Sequence, residues 1–442
     1  MIKSNFINEK IILPLGDLVT GNSVSKHFKF LMKTQWWDKQ RIIDYQNKKL
    51  QKLIFHSYSN VPYYKDLFDR NRISPYDIKT KNDLVNIPLL TKEQIKIGIK
   101  DKSLIAKNYS LNDLVINSSS GSTGEPLKYY STKESYSFNL ACGIRSWYWM
   151  GYKLGDKYAK LSFNPRNNFF KKIQDKMNNC VLFVLTSLDC NEIKNLIYEL
   201  KISNVKFIRS YPSSLDIISK YILENDINDF KIEAISTTGE ILFSDQKKNI
   251  EKAFNCNVYD TYSSEGVSIF SQINHNGGYY GSDEYSITEI IDDKKINSEE
   301  GKLITTDLWN YATPFIRYDV NDFVIKSNSN ARSLICLQEI KGRDVDTLIT
   351  IDNKKLIVHF FTIYFSKYQE LKQFQVIQTD IKNIVIKIVP ENNYNNNIEN
   401  KILIDIKEYI GKKTNLKIER VQSIKSDSSG KRRFMKKNFN FS

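Results

Sequence analysis

One short run limits what this chain can be more than any other: Ser118-Ser119-Ser120-Gly121-Ser122-Thr123-Gly124-Glu125-Pro126. Glycines that accept positive φ let successive backbone N–H groups turn toward one point, and the hydroxyls around them add donors. The run therefore suits an anion such as a polyphosphate, although the same composition also suits a Ser/Gly linker. No Gly-Lys-[Ser/Thr] follows, so it is not a Walker loop. Val115-Ile116 before it and Leu127-Lys128-Tyr129-Tyr130 after it read as strands, which makes the run a hairpin connection. Ser131-Thr132-Lys133-Glu134 has the form of a capping box. Behind it Tyr136, Leu140, Ile144, Trp147 and Met150 recur at helical spacing.

A chain of 442 residues exceeds one ordinary core, so two or three domains are expected. With 41% hydrophobic and 12% aromatic residues it is not a disordered polymer. No apolar run is long enough to span a bilayer, and Met1-Ile2-Lys3-Ser4-Asn5 has no signal core, so a cytoplasmic protein without a transmembrane segment is expected. The net charge of +15 would suit a nucleic acid, an anionic membrane surface or an acidic glycan. Lys, Asn and Ile crowd the whole sequence, however, and only Lys431-Arg432-Arg433 with Lys436-Lys437 is a dense basic cluster. No nucleic-acid partner is expected. A basic nucleic-acid or acidic-glycan binding protein stays as the reading from another class, and it would bind without ATP and weaken steeply with salt. The five cysteines and four histidines are scattered with no Cys-x-x-Cys, which argues against a disulfide framework and a zinc site.

A helix is predicted over about 36–54, closed by Val61-Pro62-Tyr63-Tyr64, and a second helix begins at Pro88-Leu89-Leu90-Thr91-Lys92-Glu93-Gln94 with Thr91 and Gln94 as capping box. Beyond residue 157 apolar runs alternate with helices: strands near 158–163, 181–185, 205–210, 232–236 and 257–261, helices near 191–200 and 214–223. Such alternation implies an α/β fold with parallel strands and ligands at their carboxyl ends. Tyr211 lies at one such end, where it either lines a pocket or makes a plain strand-to-helix turn. Thr238-Gly239-Glu240 lies at the next, its glycine letting backbone approach a flat ring. Tyr262-Ser263-Ser264-Glu265-Gly266 ends the last. A lone carboxylate there, facing a polyphosphate, is a hard-cation ligand; as an isolated turn it is solvated surface. Two runs near 285–290 and 302–306 should form a small antiparallel unit, and strands near 374–377 and 384–388 with a helix ending at Gly411 a small α+β domain.

Taken together and in this order, the motifs resemble those of the adenylate-forming (acyl/aryl-CoA ligase) superfamily, and most of all its short phenylacetate-CoA ligase-like branch, which includes proteins labelled capsular polysaccharide biosynthesis proteins. The resemblance runs from about Val61 to Phe434. It implies a large N-terminal domain, 1–340, of parallel and mixed sheets with flanking helices and a small β unit, and a small mobile C-terminal α+β lid, 341–442. It further implies that Ser118, Ser119, Ser120, Gly121, Ser122, Thr123 and Gly124 hold the ATP phosphates, that Thr238, Gly239, Glu240 and Tyr262 meet the adenine, and that Glu265 takes part in catalysis by holding Mg2+. Pro314-Phe315-Ile316-Arg317-Tyr318 and Asp322 resemble the family's Pro-apolar-Ile-Arg-Tyr-x-x-x-Asp, whose carboxylate accepts from both ribose hydroxyls. Asn321 stands where many relatives have Gly, and Asn also tolerates the left-handed region. Arg343 would add a second ribose or phosphate contact, and Asp344 or Asp346 would serve as the hinge. Lys431 would be the catalytic lysine that completes adenylation; by itself its neighbourhood is a basic tail. The implied reaction activates a carboxylic acid to an acyl-AMP, then transfers the acyl group to a thiol, with coenzyme A as the expected acceptor and a sugar or carrier amine or hydroxyl as the alternative. Trp147 and Tyr211 are the candidate acyl-pocket residues and suggest an apolar or aromatic acid.

Overall fold

The computed structural model describes residues 4–118, 127–162, 169–185, 188, 190–264, 266, 269–292, 295–296, 298–328, 333–343, 347–351, 355–357, 361, 364–365, 367–368, 370–411, 413–425 and 434–437. The chain divides into two compact units. The first comprises Met1–Leu242, Gln246–Val320 and Val324–Glu339, the second Phe243–Asp245, Asn321–Phe323 and Ile340–Ser442.

The strands, numbered in chain order, begin with β1 Val115–Ser118, β2 Lys128–Ser131, β3 Tyr158–Ser162, β4 Cys180–Val184, β5 Phe207–Ser210, β6 Ala234–Thr238 and β7 Asn257–Tyr262. They continue with β8 Phe270–Gln272, β9 Tyr279–Tyr280, β10 Ser286–Asp292, β11 Lys295–Ile296, β12 Glu300–Asp307, β13 Tyr318–Lys326 and β14 Cys336–Arg343. β1 and β2 pair alone; the rest form one sheet in the order β11-β10-β12-β13-β14-β9-β8-β7-β6-β5-β3-β4. The stretch β7-β6-β5-β3-β4 is parallel, as helix-strand alternation requires. β10 and β12 are antiparallel, with Ser286 opposite Asp307. They extend the large sheet rather than standing apart as the small unit expected from the sequence, because β12 is flanked on its other side by β13.

Side chains alternate across the parallel strands, and each face has its own cover. Ala159, Leu161, Ile208, Ile235 and Val258 point to one side, against apolar residues of the helices Cys190–Ser203, Pro212–Glu224 and Ser244–Phe254. Tyr158, Phe207, Ala234 and Tyr259 point to the other, where Trp147, at the end of the Lys133–Trp149 helix, packs with Met150 and Tyr152. That helix does not start with the box expected at Ser131. Its cap is one residue later, where Thr132 accepts the Ser135 N–H at 3.1 Å, while the Glu134 carboxylate turns away to Ser23 at 2.7 Å. The Thr91–Gln94 box forms as expected.

The two N-terminal segments without assigned chemistry turn out to clamp the Pro-Phe-Ile-Arg-Tyr run. The fully buried Tyr64 donates its hydroxyl hydrogen to Pro314 O at 2.9 Å and accepts the Ile316 N–H at 3.0 Å. Leu90 N–H donates to Arg317 O, and Leu90 O accepts the Asp319 N–H, both at 2.9 Å. Arg317, at φ 51°, pairs with buried Glu289 at 3.0 Å and donates to Ile87 O at 2.7 Å. A second polar knot is also buried. Arg145 and Glu284, both at 0% side-chain exposure, pair at 2.7 Å; Thr34 adds a hydrogen bond to the same carboxylate at 2.5 Å, and Ser282 accepts from Arg145 at 2.8 Å.

In the second unit β17 Leu371–Gln378 and β18 Asn383–Pro390 form an antiparallel hairpin, with β19 Asn415–Arg420 parallel to β18 and β20 Met435–Lys437 parallel to β17. The pair β15 Thr347–Ile349 and β16 Lys355–Ile357 precedes them. Asn395 caps the Asn396–Ile410 helix by accepting the Asn397 and Ile398 N–H groups, and Gly411, at φ 93°, ends it. Ile402, Ile406 and Ile410, spaced i, i+4, i+8, are the buried stripe of that helix, as a helix on a sheet needs.

Candidate functional site

The carboxyl ends of β5, β6 and β7 stand side by side, because Ser210 is opposite Thr237 and Thr238 is opposite Thr261. Tyr211, Thr238, Gly239, Glu240 and Tyr262 are thereby brought to one edge of the sheet. Gly239 sits at φ 83°, the left-handed region that the tight exit from β6 demands. The helix Pro212–Glu224 has no side-chain cap from its own N-cap, Tyr211. Glu240 supplies the missing acceptor by taking the Ser213 N–H at 3.0 Å, where a carboxylate also meets the positive end of the helix dipole. The sequence did hold a signal for this contact: a Tyr-Pro-Ser helix start lacks an ordinary cap and must find one elsewhere.

Below this edge Asp260 is a buried anchor that sequence reasoning missed. It accepts Thr237 Oγ1–H at 2.5 Å and the Tyr279 hydroxyl at 2.9 Å, tying β6, β7 and β9 together. Burial pushes its carboxyl up to about 6, against the pull of those two donors. Tyr262, two residues on, lies 6.3 Å ring to ring from Phe270.

Two motif-bearing segments converge on Phe315, which belongs to a third. Tyr129, in the strand β2 that follows the Ser/Gly-rich run, lies 5.2 Å from it ring to ring. Gly266, the residue after Glu265, is so close that a Cβ there would come within 2.2 Å of the Phe315 ring, and its φ is +64°. The backbone repeats the connection: Tyr130 N–H donates to Thr313 Oγ1 at 3.3 Å and Tyr130 O accepts from Asn310 Nδ2 at 2.9 Å. The Asn310 turn is in turn held by Asp307, which accepts the Trp309 and Asn310 N–H groups at 2.8 and 3.0 Å and the Tyr285 hydroxyl at 2.7 Å. Burial raises the Asp307 carboxyl to about 6.

Ser118 is exposed at the end of β1, its Cα opposite Lys128, so the hairpin closes directly on the loop's two ends. Ser119, Ser120, Gly121, Ser122, Thr123 and Gly124 lie outside the described residues, as do Glu265, Asp344, Asp346 and Lys431. Asp322 is buried on β13 after Asn321, which takes the left-handed conformation expected of it, φ 62°. Arg343 ends β14, the neighbour of β13. Trp147 is not at the edge that holds Tyr211. It packs on Tyr158 at 4.8 Å and on Tyr152 at 4.9 Å, beside the first residues of β3, β5 and β6. Among the described residues no helix is long and apolar enough to cross a membrane.

Residues 348–438 match the family model of the CapK C-terminal domain. Protein CapK of Staphylococcus aureus is 26% identical over 407 residues, 89% of this chain and 88% of that protein. A crystal structure of 2-hydroxyisobutyryl-CoA ligase in the postadenylation state with 2-HIB-AMP superposes with TM-score 0.70 at 15% identity, covering 91% of each chain. Over most of its length the chain is thus similar in sequence to CapK, and it shares the fold of an adenylate-forming ligase. The anthranilate CoA ligase AuaEII with anthranoyl-AMP shares this fold at TM-score 0.52 and 15% identity, over 74% of this chain and 66% of that one. The amide bond synthetase McbA of Marinactinospora thermotolerans does so at TM-score 0.53 and 10% identity, over 74% and 68%.

Proposed function

We propose that this protein activates a carboxylic acid with ATP, forming an acyl-AMP and releasing pyrophosphate. The observation that carries the reading is the convergence on Phe315, in the Pro-Phe-Ile-Arg-Tyr run, of the phosphate-loop hairpin and the Ser-Ser-Glu-Gly turn. Segments far apart in sequence are locked together where a nucleotide's phosphates and metal would be handled. In this reading Ser118 to Gly124 receive the phosphates and Glu265 the Mg2+. Thr238, Gly239, Glu240 and Tyr262 receive the adenine, and Asp322 and Arg343 the ribose. The substrate carboxylate attacks the α-phosphorus in line, a new C(=O)O–P bond forms, and the pyrophosphate oxygen leaves. The protein's part is positioning and charge stabilisation. Lys431 would neutralise charge on the reacting oxygens, and Asp344 would be the hinge between a large domain, 1–340, and a lid, 341–442.

Coenzyme A is the proposed acceptor of the second step, supported by the names of the two CoA ligases that share the fold. An amine acceptor on a sugar or carrier is the second reading, favoured by the shared fold of an amide bond synthetase. The test is acid-dependent pyrophosphate release from ATP and Mg2+, with and without coenzyme A, in wild type and Lys431→Ala. The variant should lose roughly 10²–10³-fold in adenylation, as loss of one preorganised charge-stabilising group does. Adenylation at the wild-type rate would remove Lys431 from the mechanism, and release that ignores coenzyme A but responds to amines would favour the second reading.

A further inference from the structure

The face of the sheet that carries Trp147 changes character two residues along the strands. Its first row, Tyr158, Phe207 and Ala234, is apolar. The next row on the same side runs Lys160, Arg209, Ser236 and Tyr259, each the Cα partner of its neighbour across β3, β5, β6 and β7. The Arg209 guanidinium carbon lies 5.9 Å from the centre of the Trp147 ring, which fixes the side to which it points. Arg209 and Lys160 are half-buried, and Ser236 is buried. Tyr211 begins only two residues after Arg209, about 7 Å along the strand direction, so this cationic row lies just below the edge where Tyr211, Thr238 and Glu240 gather.

Among the described residues no carboxylate comes within ion-pair distance of Arg209. A guanidinium beside an indole keeps N–H donors that the ring does not use, and their fork matches a carboxylate in two parallel hydrogen bonds. A hydrocarbon acyl group laid on this row would strip water from the cation and return nothing. We propose that Arg209, with Lys160 and Ser236 beside it, is the acyl-side specificity subsite, and that the substrate is an acid carrying a second anionic group, such as a dicarboxylate. The proposal rests on the ligase reading and replaces the apolar or aromatic acid suggested by the sequence, because only strand register sets Lys160 and Arg209 in one row above Trp147.

The experiment compares glutarate, adipate and terephthalate with valerate, hexanoate and benzoate. Pyrophosphate exchange and calorimetric binding are measured for wild type, Arg209→Met and Arg209→Lys. Wild type should favour each diacid over its monoacid by about 10–100-fold in kcat/KM, the range of a hydrogen bond to a charged group. The ratio should fall to near one in Arg209→Met and recover in part in Arg209→Lys. Exchange with monoacids but no diacid preference, or a ratio untouched by Arg209→Met, overturns the proposal and leaves the ligase reading standing. Diacid binding lost in Arg209→Met without exchange from any acid does the reverse: the anionic subsite stands and the ligase reading falls.

Discussion

Replacing Arg145 by Met tests the buried knot on which the site's scaffold rests. The wild-type pair is fully desolvated on both sides, and Glu284 also takes the Thr34 hydrogen bond while its backbone carbonyl accepts from Trp309 Nε1 at 2.8 Å. Removing the cation leaves a carboxylate in the core with one hydroxyl donor, a loss worth about 3–5 kcal/mol. The first unit holds roughly 330 residues, so its unfolding entropy is about 0.7 kcal/mol/K and the midpoint should drop by about 4–7 °C. Thermal unfolding followed by circular dichroism measures this, with Glu284→Gln and the double variant completing a cycle. Because the main damage is the orphaned charge, Arg145→Met with Glu284→Gln should cost about 1–3 kcal/mol less than the sum of the single changes. A single variant within about 1 kcal/mol of wild type, or strictly additive costs, would refute the account of a paired, desolvated knot.

Gly266→Ala should destabilise the protein by about 2–4 kcal/mol, since the methyl meets the Phe315 ring at 2.2 Å and the residue holds φ +64°; it should also lower adenylation more than Gly151→Ala, where φ is +98° but nothing lies within 4 Å. Wild-type pyrophosphate exchange in Gly266→Ala would detach Phe315 from the site. Asp283 is held by burial near a pKa of about 7 while accepting the Ile335 N–H at 2.8 Å. A carboxyl raised in the folded state favours folding at low pH, and that contribution is lost as pH rises from about 4 through about 7. Asp283→Asn should therefore flatten the fall in stability over this window, and urea midpoints measured at several pH values would show no flattening if the raised pKa is wrong.

Much of the fold could be read from local pattern. The strands of the parallel sheet and their helices fall within a few residues of their expected places, because each is an apolar run bounded by turn residues. Asn321 kept its left-handed turn for the intrinsic reason given by its side chain. What local pattern misses is whatever depends on a partner far along the chain. Glu134 was expected to cap its own helix, but Ser23 and His27 draw it away, the latter at 3.0 Å. Arg145 and Glu284 each look like ordinary surface charges in sequence, and only the pairing across 139 residues turns them into core. Trp147 stands beside the first residues of β3, β5 and β6, a placement that only strand register decides. Tyr64 and Leu90 carried no visible chemistry because their partners are backbone groups of the run at 314–319, which have no signature of their own.

The Tyr64 clamp also bears on how the chain is made. Its hydroxyl partners, Pro314 and Ile316, follow it by 250 and 252 residues. At about 5–20 residues per second of synthesis, Tyr64 and the helices around it wait about 12–50 s for the segment that completes them. Throughout that interval the aromatic side chains of the N-terminal helices have no finished sheet to cover. A nascent chain stalled before residue 316 is therefore a natural client for chaperones.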